Sequence, residues 1–211
     1  ELTGSSSDDN FARAIESSGI TYLSVAGENS GFPGKKIPAD YRFFLSAETP
    51  FSSLKDTPGY RTARFPVERL ASVSHGLGLV NMDPENDGIH RRYPIVSKLG
   101  DAYVPSLAFA VVRDILDAET IEKTIHARLG KSDYIDKEGK FILNWYGIGG
   151  PGRDGAVSDS VFRYYSYSAV LFSSLMEEAG KKPVIERDVF RDKIVVIGSN
   201  AAGLLDLKAT P

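Results

Sequence analysis

Arg91 and Arg92 stand side by side after an acidic turn, and they are the pair best suited to binding chemistry. A guanidinium presents a planar fork of N–H donors that matches a carboxylate or a phosphate. On a strand, neighbouring side chains point to opposite faces. One of the two is then inward and paired while the other is solvated. An inward arginine at a sheet edge would fork onto an anionic ligand, or onto an internal acid such as Asp87 or Asp206. Sequence leaves both alternatives open.

Other stretches imitate known sites and fall short. Asp83, Glu85, Asp87 and Gly88 have the opening spacing of a calcium loop. Such a loop closes with a bidentate acid at its twelfth position. Pro94 occupies that place, so the stretch reads as a hairpin turn. Gly147-Ile148-Gly149-Gly150-Pro151-Gly152 follows an expected strand but lacks the Gly-Lys-Ser/Thr of a phosphate loop. Gly198-Ser199-Asn200-Ala201 does not read Gly-x-Ser-x-Gly, so no nucleophile elbow is present. Backbone N–H groups after such a strand still suit an anion. His75, His90 and His126 are too few and too scattered for a metal site. No catalytic residue, metal or cofactor is expected.

Composition narrows the class. The chain has 211 residues, of which 42% are hydrophobic, enough for one buried core. Its net charge is −3 and it has no Lys/Arg-rich block, which argues against nucleic acid as a partner. It has no cysteine, which removes thiol catalysis and disulfides. No run reaches the ~20 apolar residues of a membrane helix. Any membrane anchor is expected to lie outside this chain.

The elements that must position these residues are read from period and punctuation. Ser5-Ser6-Ser7-Asp8 suggests a flexible entry and a helix cap, and Phe11, Ala12 and Ile15 share a helical face ending at Gly19. Ile20 to Ala26 reads as a strand. Residues 27–66 read as a long irregular excursion with a strand near Tyr41 to Leu45. Val67 to Val73 gives a turn or two of helix. Gly78 to Met82 and Ile89 to Ser97 read as the arms of a β-hairpin. Pro105 opens a helix whose stripe is Leu107, Val111 and Ile115, with Ala108 and Val112. Ala118 to Leu129 is a second short helix, and Phe141 to Tyr146 is a strand. A helix capped near Ser166 runs through Ala179 to Gly180. Lys193 to Gly198 is a continuous apolar run of the kind found in a central strand buried on both faces. The expected fold is α/β: a layered sandwich around a mixed, largely parallel sheet with one hairpin.

Three stretches together carry a family resemblance. They are Gly78-Leu79-Val80-Asn81 through Asp87-Gly88-Ile89-His90-Arg91-Arg92-Tyr93-Pro94, then Tyr103-Val104-Pro105-Ser106-Leu107-Ala108, then Phe190 through Gly198 with Ala202-Gly203, Asp206 and Thr210-Pro211. In order and spacing they resemble the second type of CHASE domain, an extracellular sensory domain associated with cyclases and histidine kinases. Asn144-Trp145-Tyr146-Gly147 and Tyr165-Ser166-Tyr167 fit its middle section. Family members usually carry a further strand–helix–strand portion upstream, so residues 1–211 are expected to be one sensor domain lacking it. The resemblance implies an extracytoplasmic location, membrane anchors outside the chain and no catalysis by this domain. The parent would be a nucleotide cyclase or kinase and a homodimer. An unknown small molecule or ion would be its ligand, with Arg91, Arg92, Ser106, Asn144, Ser199 and Asp206 as candidate contacts. The competing expectation is a soluble α/β enzyme acting on an anionic metabolite. It rests on the two arginines, the Gly147 loop and the Gly198 turn.

Overall fold

The structure is a computed structural model that describes residues 4–29, 56–128, 134–145 and 162–198. The chain divides into two compact units, one from Glu1 to Leu143 and one from Asn144 to Lys208. The expected strand at Tyr41–Leu45 and the glycine loop at Gly147 lie outside the described residues.

The first unit runs α1 (Gly4–Ser18), β1 (Tyr22–Glu28), β2 (Gly59–Tyr60), β3 (Thr62–Arg64), α2 (Glu68–Val73), β4 (Gly76–Leu79), β5 (Arg92–Pro94), β6 (Val96–Leu99), β7 (Ala102–Pro105), α3 (Leu107–Ile115), α4 (Ala118–Arg128) and β8 (Lys140–Ile142). The serines near the start are inside α1, not a flexible entry to it. Ala12 and Ile15 face inward as expected, but Phe11 is 54% exposed. α1 ends at Gly19 in the left-handed region, with φ 64°.

The fold is α/β with mixed sheets. Among the described residues the strands make three small sheets: β3-β1-β4, β2-β6-β7 and the pair β5-β8. β1 and β4 are parallel, with Leu23 opposite Leu77 and Val25 opposite Leu79. β3 adds to β1 antiparallel. The expected hairpin between Gly78–Met82 and Ile89–Ser97 does not form. β4 pairs with β1, and the second arm splits at Ile95 into β5 and β6. The hairpin is instead β6–β7, antiparallel about Gly100-Asp101. Sequence alternation cannot say which of several nearby strands a β segment will join, and here burial in the β1–β4 layer wins.

The main core gathers Val25, Tyr60, Ala63, Ala71, Leu77, Leu79, Leu99 and Val104. A second cluster joins Ile95, Val96, Phe109 and Ile135, with Ile121 and Ile125 of α4 against it. α3 presents Phe109 and Ala110 to the core, while Val112 and Ile115 are exposed. The expected Leu107–Val111–Ile115 stripe is thus rotated. α3 is apolar nearly all round, and the large Phe109 ring decides which face is buried. Pro105 does not open this helix but ends β7; the N-cap is Ser106, whose hydroxyl accepts a hydrogen bond from the Phe109 N–H at 3.3 Å.

The second unit holds α5 (Tyr167–Glu178), followed by a single 3-10 turn at Arg187–Phe190. The Ser173 hydroxyl donates to the Ala169 carbonyl and accepts from the Ile185 N–H, tying α5 to the chain that follows it. Lys193–Gly198 is not a strand, and Val196 is 87% exposed. A strand is buried on both faces only between neighbouring strands, and this unit has none among its described residues.

α3 comes so close to β4 at Gly78 that a Cβ there would collide with the Leu107 backbone. Neither partner is a flexible side-chain tip, so the clash cannot be relieved locally. Gly78→Ala is therefore expected to lower stability by about 1–3 kcal/mol. Thermal denaturation against the parent chain measures it, and an unchanged midpoint would show that α3 does not sit on Gly78.

Candidate functional site

The most functional-looking feature is an open, charged cleft of about 560 Å³ in the first unit. One wall is the connection from β4 to β5. Gly88 N donates to the Glu85 carbonyl at 2.8 Å and Glu85 N to the Ile89 carbonyl at 2.9 Å, so this stretch is a closed turn. The Asp87 carboxylate accepts from the Ile89 N–H at 3.1 Å and stiffens it further. The opposite wall is the turn before β8. Asp136 Oδ1 accepts from the N–H groups of Glu138 and Lys140, both at 2.9 Å. Pairing of β5 with β8 sets Arg92 opposite Ile142 and Pro94 opposite Lys140, which brings the two walls together.

Glu85 is the hub of the cleft. Its Oε2 lies 3.1 Å from Arg91 Nη1, and its Oε1 binds Arg92 Nη1. Arg91 also holds both oxygens of Asp87, at 3.0 and 2.8 Å. Arg92 Nε lies 3.8 Å from Asp136 Oδ2, and Lys140 Nζ lies 2.7 Å from Glu138 Oε2. The expectation that Arg91 and Arg92 point to opposite faces is overturned. Arg91 precedes β5, where strand alternation does not yet apply, and its long side chain folds back over the turn to the same carboxylate. The internal pairing with Asp87 is what the structure adopts.

The lining is acidic on balance. Asp83, Glu85, Asp87, Asp136 and Glu138 face only two lining cations, Arg92 and Lys140, and Arg91 adds a third through its bonds to Glu85 and Asp87. The Ile89 N–H, and then the Arg91 guanidinium, hold the Asp87 carboxyl below its ordinary value of 3.8. The same contact raises Arg91, first through Asp87 and then through Glu85. Among the described residues no group of three histidine or acidic side chains is placed to hold a metal ion.

Of the six expected contacts, only Arg91 and Arg92 come together here. Ser106 is 2% exposed and is used as a helix cap. Asn144 is exposed in the second unit. Ser199 and Asp206 lie outside the described residues. The wall built from Asp136, Glu138 and Lys140 was not anticipated. Its one sequence signal is the Asp-x-x-Gly of a turn, Asp136 to Gly139.

The whole chain, residues 2–211, matches the family model of the CHASE2 domain, and the protein belongs to that family. CHASE2 domains are extracellular sensory domains of cyclases and kinases and are not themselves catalytic. No curated protein and no solved structure matches the chain.

The lowered Asp87 carboxyl links the turn to pH. A carboxyl depressed by folding stabilises the fold fully above its ordinary value of 3.8, and that contribution fades as pH falls through the lower folded value. Asp87→Asn removes the titrating group. The parent chain is then expected to lose more stability than the variant between pH 5 and pH 2, about the range in which a depressed carboxyl titrates. Urea midpoints across that range test it; parallel curves would mean Asp87 is not engaged in solution.

Proposed function

We propose that this CHASE2 domain is the extracytoplasmic, ligand-facing part of a membrane-anchored signalling receptor, with the charged cleft as its sensing site. The family membership carries the reading. The cleft supports it, because its volume of about 560 Å³ falls within the usual range of small-ligand sites, roughly 300–1,000 Å³. Among the described residues no helix is long and apolar enough to cross a membrane.

The cleft offers a physical route from binding to signal. Glu85 bridges two arginines, one before β5 and one on it. A ligand that engages these groups in only one arrangement of the turn shifts the balance between arrangements. The shift would pass through a membrane helix after Pro211 to a nucleotide cyclase or histidine kinase. Two receptors would pair as a homodimer, since twofold pairing is the commonest closed assembly. The rival reading, a soluble enzyme on an anionic metabolite, rested partly on the two arginines. Arg91 and Arg92 are held by Glu85 and Asp87.

Location is the first thing to test. The chain has no cysteine, so one placed at Asp101, exposed in the β6–β7 turn, is a clean reporter within this domain. In intact cells making the full-length parent, with any other cysteine replaced, Asp101→Cys is expected to react with a membrane-impermeant maleimide. Protection until the cells are lysed would place the domain in the cytoplasm and overturn the receptor reading.

A further inference from the structure

In the second unit, α5 is turned inside out. Its buried residue is Ser173, whose hydroxyl is used within the unit, and Ala169 on the same side is half-buried. Tyr167, Leu171, Phe172 and Leu175 are instead 72%, 52%, 56% and 54% exposed. A surface helix normally turns its large apolar residues inward and its polar ones outward. Tyr167, Leu171 and Leu175 follow one another at intervals of four, so they form one stripe. Single exposed apolar residues are ordinary, but a contiguous stripe of them marks an interaction surface. At ~200 Å² for a free aromatic side chain, Tyr167 and Phe172 alone leave roughly 250 Å² in water.

Charge identifies what faces the stripe. From Tyr164 to Met176 the chain has no charged residue; Arg163 stands before this stretch, and Glu177 and Glu178 follow it. Arg187 holds Glu177. Arg163 and Glu178 have no ion pair or hydrogen bond of their side chains among the described residues. Glu178 ends α5, at the negative end of the helix, where a carboxylate is unfavourable. The positive end is open: the Ser166 side chain makes no capping bond, and the first turn has no acid. Lay a second α5 antiparallel across the first, and Leu171 meets its own copy while Tyr167 meets Leu175. Glu178 then comes beside the uncapped start of the other helix and the Arg163 of that copy. A parallel arrangement would set Glu178 against Glu178. The surface is therefore self-complementary in one orientation, as a twofold pair requires.

We propose that α5 is the face through which two copies of this chain pair, antiparallel about a twofold axis at Leu171. This gives the receptor pairing a surface; it rests on that pairing and not on the cleft or its ligand. Even with both leucines the stripe falls short of the ~800 Å² per partner of a standard stable interface. The contact is therefore strong only where the copies are already held close together, as in one membrane.

Disulfide cross-linking of the full-length parent in cell membranes tests this, with any other cysteine replaced, since residues 1–211 contain none. Leu171→Cys is expected to cross-link to itself. Tyr167→Cys is expected to cross-link to copies carrying Leu175→Cys when the two are made together, and not to itself. Asp101→Cys, exposed in the first unit, gives the level of random collision. Glu178→Arg is expected to lower the Leu171→Cys product about fivefold, the scale of one exposed ion pair, and adding Arg163→Glu is expected to restore it. Self-cross-linking of Tyr167→Cys without the mixed product would overturn the antiparallel pair. A Leu171→Cys product no greater than that of Asp101→Cys would overturn the interface. A fall in the thermal midpoint of the dilute chain on Leu171→Asp would also overturn it, by showing that the chain covers this face itself. None of these results moves the maleimide test of location. A domain labelled outside the cell that fails to cross-link through α5 would remain a sensor and lose only this pairing face.

Discussion

The parallel pairing of β1 with β4 is the constraint from which the rest of the first unit follows. Parallel neighbours cannot be joined by a tight turn, so the chain must travel a long way between them. Here the returning chain supplies β2, β3 and α2. Once paired, β4 places three further things. Its Gly78 receives α3, its Leu79 bridges to Ser106, and the Leu79 carbonyl accepts the Tyr93 hydroxyl at 2.8 Å. That last bond holds β5, β5 holds β8, and the two together close the cleft. The charged site therefore depends on a hydrogen bond between a tyrosine and a buried strand.

Within the cleft, one carboxylate organises two cations of the same chain. Exposed ion pairs are individually weak. Glu85 matters because the same side chain restrains both residues of the Arg91-Arg92 pair, so neither moves without the other. The turn beneath is held separately by backbone bonds and by Asp87. The arrangement has a rigid frame and an electrostatic latch, which suits a domain that must report a change and not catalyse one.

Local signals in the sequence were readable where local physics decides. The Gly19 stop and the first strand are of this kind, each set by neighbouring residues. The errors occur where distant partners decide. The two arms expected to form a hairpin each had a better neighbour elsewhere, and α3 turned to bury Phe109. Of the cleft, the arginine pair was legible by residue type, while Asp87 was only one of several partners the sequence left open. The Asp136–Lys140 wall was not, because it sits more than forty residues from Arg92 and is joined to it only by β5–β8 pairing. Family membership was legible because several separated motifs kept their order along the chain.

The exposed run from Ile194 to Ile197 has a colloidal consequence. Four consecutive β-branched residues, free of charge and of proline, have the composition of segments that stack into cross-β assemblies. An unpaired segment of this kind is a template for another chain. Arg191, Asp192 and Lys193 precede it as a charged gate, and the backbone of Asp192 is bent into the left-handed region with φ 55°. No such gate follows at Gly198. Three charged residues thus guard one end of an adhesive segment whose other end is unguarded.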